Sequence, residues 1–418
     1  MSVAVQAADR GLFAWWRAGT PEGKRALVAA SLGWMLDSFD VMLYALVLAS
    51  LMNDLAMDPP TAGLLGSLTL LASAAGGLVF GVIADRMGRT RALMGSILVY
   101  SVFTAACGFA QTVTQLAVFR VCLGLGMGGE WASGAALVSE TWPDEHRGKA
   151  LGFMQSSWAI GYAAAAVVTA IVMPVWGWRG VFFVGVLPAL LTIWVRRSVK
   201  EPEIWRQRQA TGTVRGLGFD RMFANDMWRV TTAVTLMNAC TMFAWWGFNL
   251  WLPGYLALPV ERGGIGLGTA TMSGFVVAMQ VCMWFGYVTF GYASDWMGRR
   301  RAYVVYVLAA AALILVYMSI RIPMVLLFLG PFVAFFATGY FTGFGAVTAE
   351  LYPTAIRATA QGFTYNIGRV ASAVAPFAVG TLAQTRGFSA ALSICSIAFV
   401  LAAVFWIWIP ETRGRQLA

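Results

Sequence analysis

The chain has 418 residues, 59% of them hydrophobic and only 11% charged. Soluble domains carry about 25% charged residues. An ordinary soluble enzyme or signalling domain is therefore excluded, and the long apolar blocks split by short charged or Gly/Pro punctuation form the pattern of a polytopic membrane protein. The net charge of +10 does not point to nucleic acid, because the basic residues sit in short connections between apolar blocks, where an anionic leaflet accounts for them.

Within the N-terminal segment 1–25, expected on the cytoplasmic side, Asp9 to Arg25 is a mixed stretch with Trp15 and Trp16. It lacks the pattern of a cleavable signal peptide and reads as a short interfacial helix. The first apolar span, about Ala26 to Leu51, holds Asp37 and Asp40. At i and i+3 they share one side of a helix. Two carboxylates in hydrocarbon are costly and face a polar cavity or a partner. A transport role explains the pair better than the structural alternative, an acid neutralised by a proton or by an internal arginine.

Eleven further spans centre near residues 73, 101, 125, 160, 188, 242, 281, 310, 336, 370 and 398. Each is about long enough to cross a bilayer. The expected architecture is all-α, with twelve transmembrane helices. A basic central loop at 199–226 divides it into six-helix bundles at 26–198 and 227–409, followed by a tail at 410–418. Five cysteines, Cys107, Cys122, Cys240, Cys282 and Cys395, lie in apolar spans without a CxxC. They read as packing residues, and no metal or cofactor is expected. The lone His146 sits in a charged loop and reads as solvated.

With both termini placed inside, the inner segments hold 23 of the 29 Lys and Arg residues, and the outer loops hold only Arg179, Arg262, Arg321 and Arg386. This bias sets the orientation. The halves also repeat. Asp85 and Asp295, Glu140 and Glu350, and Arg147 and Arg357 are each 210 residues apart. Such a duplication implies two similarly arranged bundles facing each other, as alternating access requires.

The turn after span two reads Gly81-Val-Ile-Ala-Asp85-Arg86-Met-Gly88-Arg89-Thr-Arg91, and its repeat runs from Gly291 through Asp295, Gly298 and Arg299 to Arg300 and Arg301. Gly81 permits close helix approach, Gly88 suits a tight turn, and Asp85 can cap a helix or pair with a basic side chain. These segments read as breakable latches on the inner side. Glu140 with Arg147, and Glu350 with Arg357, bracket the loops after spans four and ten and are expected to bias one of two conformations. Simple anchoring of arginines at the inner surface is the alternative, but it leaves the repeated Gly and Asp spacing unexplained.

Five charged residues fall within spans: Asp37, Asp40, Arg120, Glu130 and Arg369. At a rise of 1.5 Å per residue, Arg120 lies near the height of Asp37, so an Asp37–Arg120 or Asp40–Arg120 ion pair is feasible. Glu130, about 15 Å closer to the inner side, reads as a second protonatable stop. Arginine stays charged in any environment and grips carboxylates bidentately. Asp37 or Asp40 as proton acceptor and Arg120 as anion or proton-switch partner would therefore link proton and anion binding reciprocally. Arg369, in the other half, reads as a clamp on a substrate carboxylate, or alternatively as an arginine bonded to backbone carbonyls. Tyr44, Gln155, Asn238, Asn249, Gln280 and Asn366 are candidate polar walls, and each can equally be an interhelical hydrogen-bonding residue. The run from Cys240 to Trp251, with Trp245 and Trp246, can stack on a ring or face lipid.

Over essentially its whole length the chain resembles the major facilitator superfamily. The Gly81–Arg91 stretch and its repeat are similar to that superfamily's cytoplasmic signature. Thr90 and Trp296 stand at positions that are often basic in it. Arg120-Val-Cys-Leu-Gly124-Leu-Gly126-Met-Gly128 is similar to its fourth-helix signature, in which the arginine is associated with proton coupling. Asp37-Ser-Phe-Asp40 resembles the acidic motif of the aromatic-acid symporters, with Ser38 where that group has glycine. Gly128-Gly-Glu130-Trp131 and Glu201-Pro-Glu203-Ile-Trp205 resemble the sialate/lactate-type metabolite:proton symporters. The resemblance implies the twelve-helix fold and secondary transport. The resulting expectation is proton-coupled uptake of a small organic acid anion, by a monomer in the lipid of a bacterial cytoplasmic membrane. Anion exchange or proton-driven efflux is the alternative on the same fold, and a membrane sensor is the third class. No enzyme motif appears.

Overall fold

The computed structural model describes residues 14–143, 146–203, 222–224, 227–352 and 357–413. The elements are α1 (Ala14–Ala18), α2 (Pro21–Asp54), α3 (Pro59–Met87), α4 (Arg89–Cys107), α5 (Val113–Thr141), α6 (Arg147–Val184), α7 (Leu191–Ser198), α8 (Met227–Ala257), α9 (Thr269–Met297), α10 (Arg299–Ser319), α11 (Pro323–Thr338), α12 (Tyr340–Leu351), α13 (Arg357–Ser372), α14 (Val374–Arg386) and α15 (Phe388–Phe405), with short 3-10 turns between. They make twelve rods. α6 holds one pass and the start of the next, because Pro174 lies inside it and Gly177 (φ +63) breaks it. α11 with α12, and α13 with α14, are single rods interrupted at Gly339 and Ala373.

Among the described residues, nine stretches are long and apolar enough to cross a membrane. The second pass within 148–195, α8 and the rod α13–α14 bring the architecture to twelve. α8 is long but dilutes its apolar residues with Trp, Thr and Asn, and α13–α14 is split into pieces of 16 and 13 residues.

Local chemistry fixes the helix starts. Thr20 caps α2, accepting from Gly23 N at 3.0 Å, ahead of Pro21. Asp58 caps α3, accepting from Thr61 N at 2.9 Å, ahead of Pro59 and Pro60. A side-chain acceptor before a proline at the first helical position is a strong start signal. α2 thus begins five residues before the expected start of its apolar span. α4 and α10 instead follow Gly88 and Gly298, at φ +115 and +97, a backbone conformation that favours glycine.

Four pairs of helix starts lie 210 residues apart: Pro59 and Thr269, Arg89 and Arg299, Val113 and Pro323, Arg147 and Arg357. The packing repeats too. α2 packs on α6 as α8 packs on α13, and α3 packs on α5 as α9 packs on α11. The two groups meet through α3 with α14, α6 with α9, and α2 with α8, an approximate two-fold arrangement. The α3–α5 crossing is backbone against backbone. A Cβ on Gly128 would lie 1.8 Å from the Ser73 carbonyl oxygen, so only glycine fits there. This crossing holds α5 firmly, and with it Arg120 and Glu130.

Candidate functional site

α2 contributes Asp37 and Asp40, α5 contributes Arg120 and Glu130, and α13 contributes Arg369; none is more than 3% exposed. The expected Asp–Arg120 ion pair is absent. The Arg120 guanidinium lies 3.7 Å from the centroid of the Tyr44 ring, and none of its nitrogens has a hydrogen-bond partner. Tyr44 donates its hydroxyl to the Ala62 carbonyl at 2.7 Å. Arg120 therefore sits level with Tyr44, about two turns beyond Asp37. The depth reckoning placed it too close, because α2 starts at Pro21 and reaches well past the edge of its apolar block.

The cation facing the acids is Arg369, which is within electrostatic reach of both Asp37 and Glu130. Glu130 packs against α2, where a Cβ on Gly33 would lie 2.5 Å from its Oε1. Neither Glu130 oxygen nor either Asp40 oxygen has a hydrogen-bond partner. Tyr100 of α4, fully buried, donates to the Gly33 carbonyl at 3.4 Å and feels the charges of all three acids. The sequence reading missed this tyrosine; its only signal was a polar tip in an otherwise apolar span.

Beside this cluster lies a cavity of about 30 Å³ lined by Gln155, Arg369 and by Trp34, Trp158 and Trp245, whose indole N–H groups have no hydrogen-bond partner. Its walls are aromatic. Trp158 packs on Trp34 at 4.7 Å, on Trp245 at 5.6 Å and on Trp246 at 6.0 Å, and Tyr287 and Phe341 complete the far side. Tyr365, also in the lining, stacks on Trp131 with ring centroids 4.1 Å apart and planes 5° off parallel, joining α13 to α5. A space of this size holds about one water, so no organic acid enters without the halves parting.

The remaining candidate walls lie outside this cavity lining. Asn238 donates to the Thr364 carbonyl at 3.0 Å, tying α8 to α13. Asn249 and Asn366 donate within their own helices, to Trp245 and Gly362. Gln280 is buried away from the cavity lining.

At the end of the bundle where the basic loops gather, here the basic end, two matching ion pairs appear. Arg89 grips Glu140 through Nη2 at 3.0 Å and Nε at 3.3 Å, and Arg299 grips Glu350 at the same distances. Arg299 also donates to Asp295, and to Ser294 at 2.8 Å. Glu140 and Glu350 thus reach back to the start of the third helix in each half. The side chains of Asp85, Arg147 and Arg357 lie outside the described residues. Arg86 is exposed at the end of α3. A Cβ on Gly81 or Gly291 would meet open space, so close packing does not require glycine at either position.

A fourth repeated position was legible but not used: Glu201 and Glu411 are also 210 apart. Glu201 accepts from Thr90 N at 3.1 Å and Arg91 N at 3.3 Å, and Glu411 accepts from Arg299 N at 2.9 Å and Arg300 N at 3.1 Å. Each supplies a negative charge and acceptors to a helix start that has no side-chain cap of its own. Burial pushes the Glu411 carboxyl up, but the backbone donors of Arg413, Arg299, Arg300 and Thr412 outweigh it and hold the group below its ordinary range.

Among the described residues no cluster of His, Cys, Asp and Glu could hold a metal ion. The Major Facilitator Superfamily model matches residues 30–287 and again 236–418. The chain is 31% identical to the cis,cis-muconate transport protein of Acinetobacter baylyi, over 93% of this chain and 94% of that protein. It is 30% identical to the sialic acid transporter of Escherichia coli, over 92% and 94%. The fold matches that of a D-xylose-proton symporter with a TM-score of 0.77 at 19% identity, over 94% of this chain and 99% of that one. With its repeated helix pairs, its matched basic-end latches and these whole-length similarities, the chain belongs to the Major Facilitator Superfamily.

Proposed function

We propose that this protein takes up a small organic acid anion together with a proton. Its superfamily carries out secondary active transport of small organic metabolites by alternating access, and it is a membrane transporter, not an enzyme. The observation that carries the finer reading is the pair of buried acids Asp37 and Glu130 facing Arg369 from the opposite half beside the cavity, with Asp40 buried behind Asp37 on the side of Thr104. With two carboxylates sharing one reachable guanidinium and a third beside Asp37, a proton on Asp37 or Asp40 relieves repulsion and frees Arg369 for a substrate carboxylate. Loss of the proton returns Arg369 to the acids and expels the anion. The coupling is reciprocal, so the anion also favours protonation.

Arg120 holds Tyr44 and the floor of this site and does not grip substrate in this state. Gln155 is the second polar contact for the anion. Residues 26–198 and 227–409 rock against each other, joined by 199–226, with both termini on the cytoplasmic side of a bacterial cytoplasmic membrane and a monomer as the working unit. The muconate and sialic acid relatives are both named for acids. The aromatic walls here favour an acid with a flat, unsaturated body, which stacks on rings.

The test is uptake into proteoliposomes across a panel of organic acids, with internal and external pH set separately. Accumulation is expected only when the outside is more acidic. The double variant Asp37→Asn, Asp40→Asn should keep counterflow and lose pH-driven accumulation. Full accumulation by that variant refutes proton coupling through the aspartates. Counterflow indifferent to pH in the parent identifies an exchanger instead.

A further inference from the structure

The two copies of the basic-end signature differ where they meet the membrane surface. Trp296 stands 210 residues after Arg86, and Arg300 stands 210 after Thr90. The latch uses neither side chain of the second copy. Glu350 takes the fork of Arg299, and Glu411 takes only the backbone N–H of Arg300. Trp296 is 75% exposed. Beside it the side chains of Arg300 and Arg301 border a cleft of about 480 Å³, whose floor is Met297, Val304, Val305 and Ala403. Neither guanidinium forms an ion pair among the described residues.

The cleft lies at the basic ends of α9, α10 and α15. An indole ring at the end of an apolar helix sits at headgroup depth. Two guanidinium groups there, without an ion pair among the described residues, call for a phosphate, which each can bind with paired N–H donors. An apolar floor leading along α10 calls for an acyl chain. A zwitterionic headgroup brings its own cation to the phosphate, whereas an anionic one leaves two arginines fully matched. We propose that this cleft binds one anionic phospholipid from the leaflet at the basic end, with phosphate on Arg300 and Arg301, headgroup region on Trp296 and acyl chain along Val304 and Val305. The lipid would lie one residue from the Arg299 latch and would brace the second half alone, because the first half has Arg86, Thr90 and Gly95 at the positions of Trp296, Arg300 and Val305. The site is independent of which solute is carried.

The experiment is native mass spectrometry of the full chain in detergent, titrated separately with phosphatidylglycerol, phosphatidylcholine and inorganic phosphate. One phosphatidylglycerol should be retained in preference to phosphatidylcholine. Arg300→Gln with Arg301→Gln should weaken that binding by roughly tenfold or more, while Arg91→Gln in the first half leaves it unchanged. Val305→Ser, which adds no charge beside the arginines, should weaken phosphatidylglycerol binding as well. Equal retention of the two lipids, undiminished phosphatidylglycerol binding in the double variant, or complete displacement by inorganic phosphate would each overturn the proposal. These outcomes mean, respectively, an ordinary lipid belt, a site elsewhere, and a free-anion site.

Discussion

The Glu130 carboxylate rests where a side chain on Gly33 would be. A methyl group there would lie 2.5 Å from Oε1, and the acid cannot retreat without leaving Asp37 and Arg369. Gly33→Ala should destabilise the protein by about 1–3 kcal/mol, the usual range for overpacking. It should also lower uptake more than binding, measured by thermal unfolding in detergent beside transport and substrate affinity. Unchanged uptake would remove Glu130 from the coupling set. The Trp131–Tyr365 stack makes a second prediction at this scale. It is a cross-half contact between two rings 4.1 Å apart, and such pairs contribute about 0.5–1.5 kcal/mol beyond their buried area. Trp131→Ala should speed counterflow and make cysteines placed on the basic-end side of the cavity easier to alkylate. Alkylation at the parental rate would show that the stack is not a gate.

Each third helix begins at a positive-φ glycine and is capped from a distance, by Glu201 in one half and Glu411 in the other. Glu411 is held below its ordinary range, so its contribution to stability is fully present above the ordinary glutamate value and is lost as pH falls through the lower folded value. Glu411→Gln should abolish that acid-side loss while leaving the pH dependence near neutrality unaltered, as read by melting curves between mildly acidic and neutral pH. Arg299→Lys should weaken the second latch, since an ammonium cannot reproduce the two-point grip on Glu350. The helices themselves were legible from apolar block length, and the latches from their 210-residue offset. Their partners were not, because pairing depends on which helix ends meet in space. Glu140 bonds Arg89, 51 residues earlier, a partner that neither chain proximity nor the 210-residue offset singles out. The buried charges were visible as anomalies in apolar runs. Tyr100, Tyr365 and the tryptophans were not, because an aromatic residue in a membrane span looks the same whether it faces lipid or a cavity.

At the scale of the whole molecule, the end opposite the basic loops is closed between halves. Phe377 N donates to the Ser67 hydroxyl at 3.2 Å, and a Cβ on Gly63 would lie 2.3 Å from the Pro376 carbonyl oxygen. Gly63→Val should hold that end open and reduce uptake severely. Moving a two-state balance from 1:99 to 99:1 takes about 5.5 kcal/mol, which a backbone clash can supply. Faster modification of Ser67→Cys in the Gly63→Val background is the readout, and an unaltered rate would mean that the closed end does not depend on this contact. Duplication has been broken where charge is concerned: Gly247 and Gly330 occupy the positions repeated from Asp37 and Arg120, and Ala159 the position that precedes Arg369 by 210 residues. The acids therefore ride on one half and Arg369 on the other.

The inventory of buried charge has an electrical consequence. With all three acids ionised, Asp37, Asp40 and Glu130 exceed Arg120 and Arg369 by one negative charge. A bound proton together with a monocarboxylate leaves the same value, so the loaded and empty carriers feel the membrane field equally. Uptake of a monocarboxylate should then follow the pH gradient and ignore a potassium–valinomycin potential. A dicarboxylate carried with one proton would be opposed by an inside-negative potential, at about 2.3 kcal/mol per charge per 100 mV.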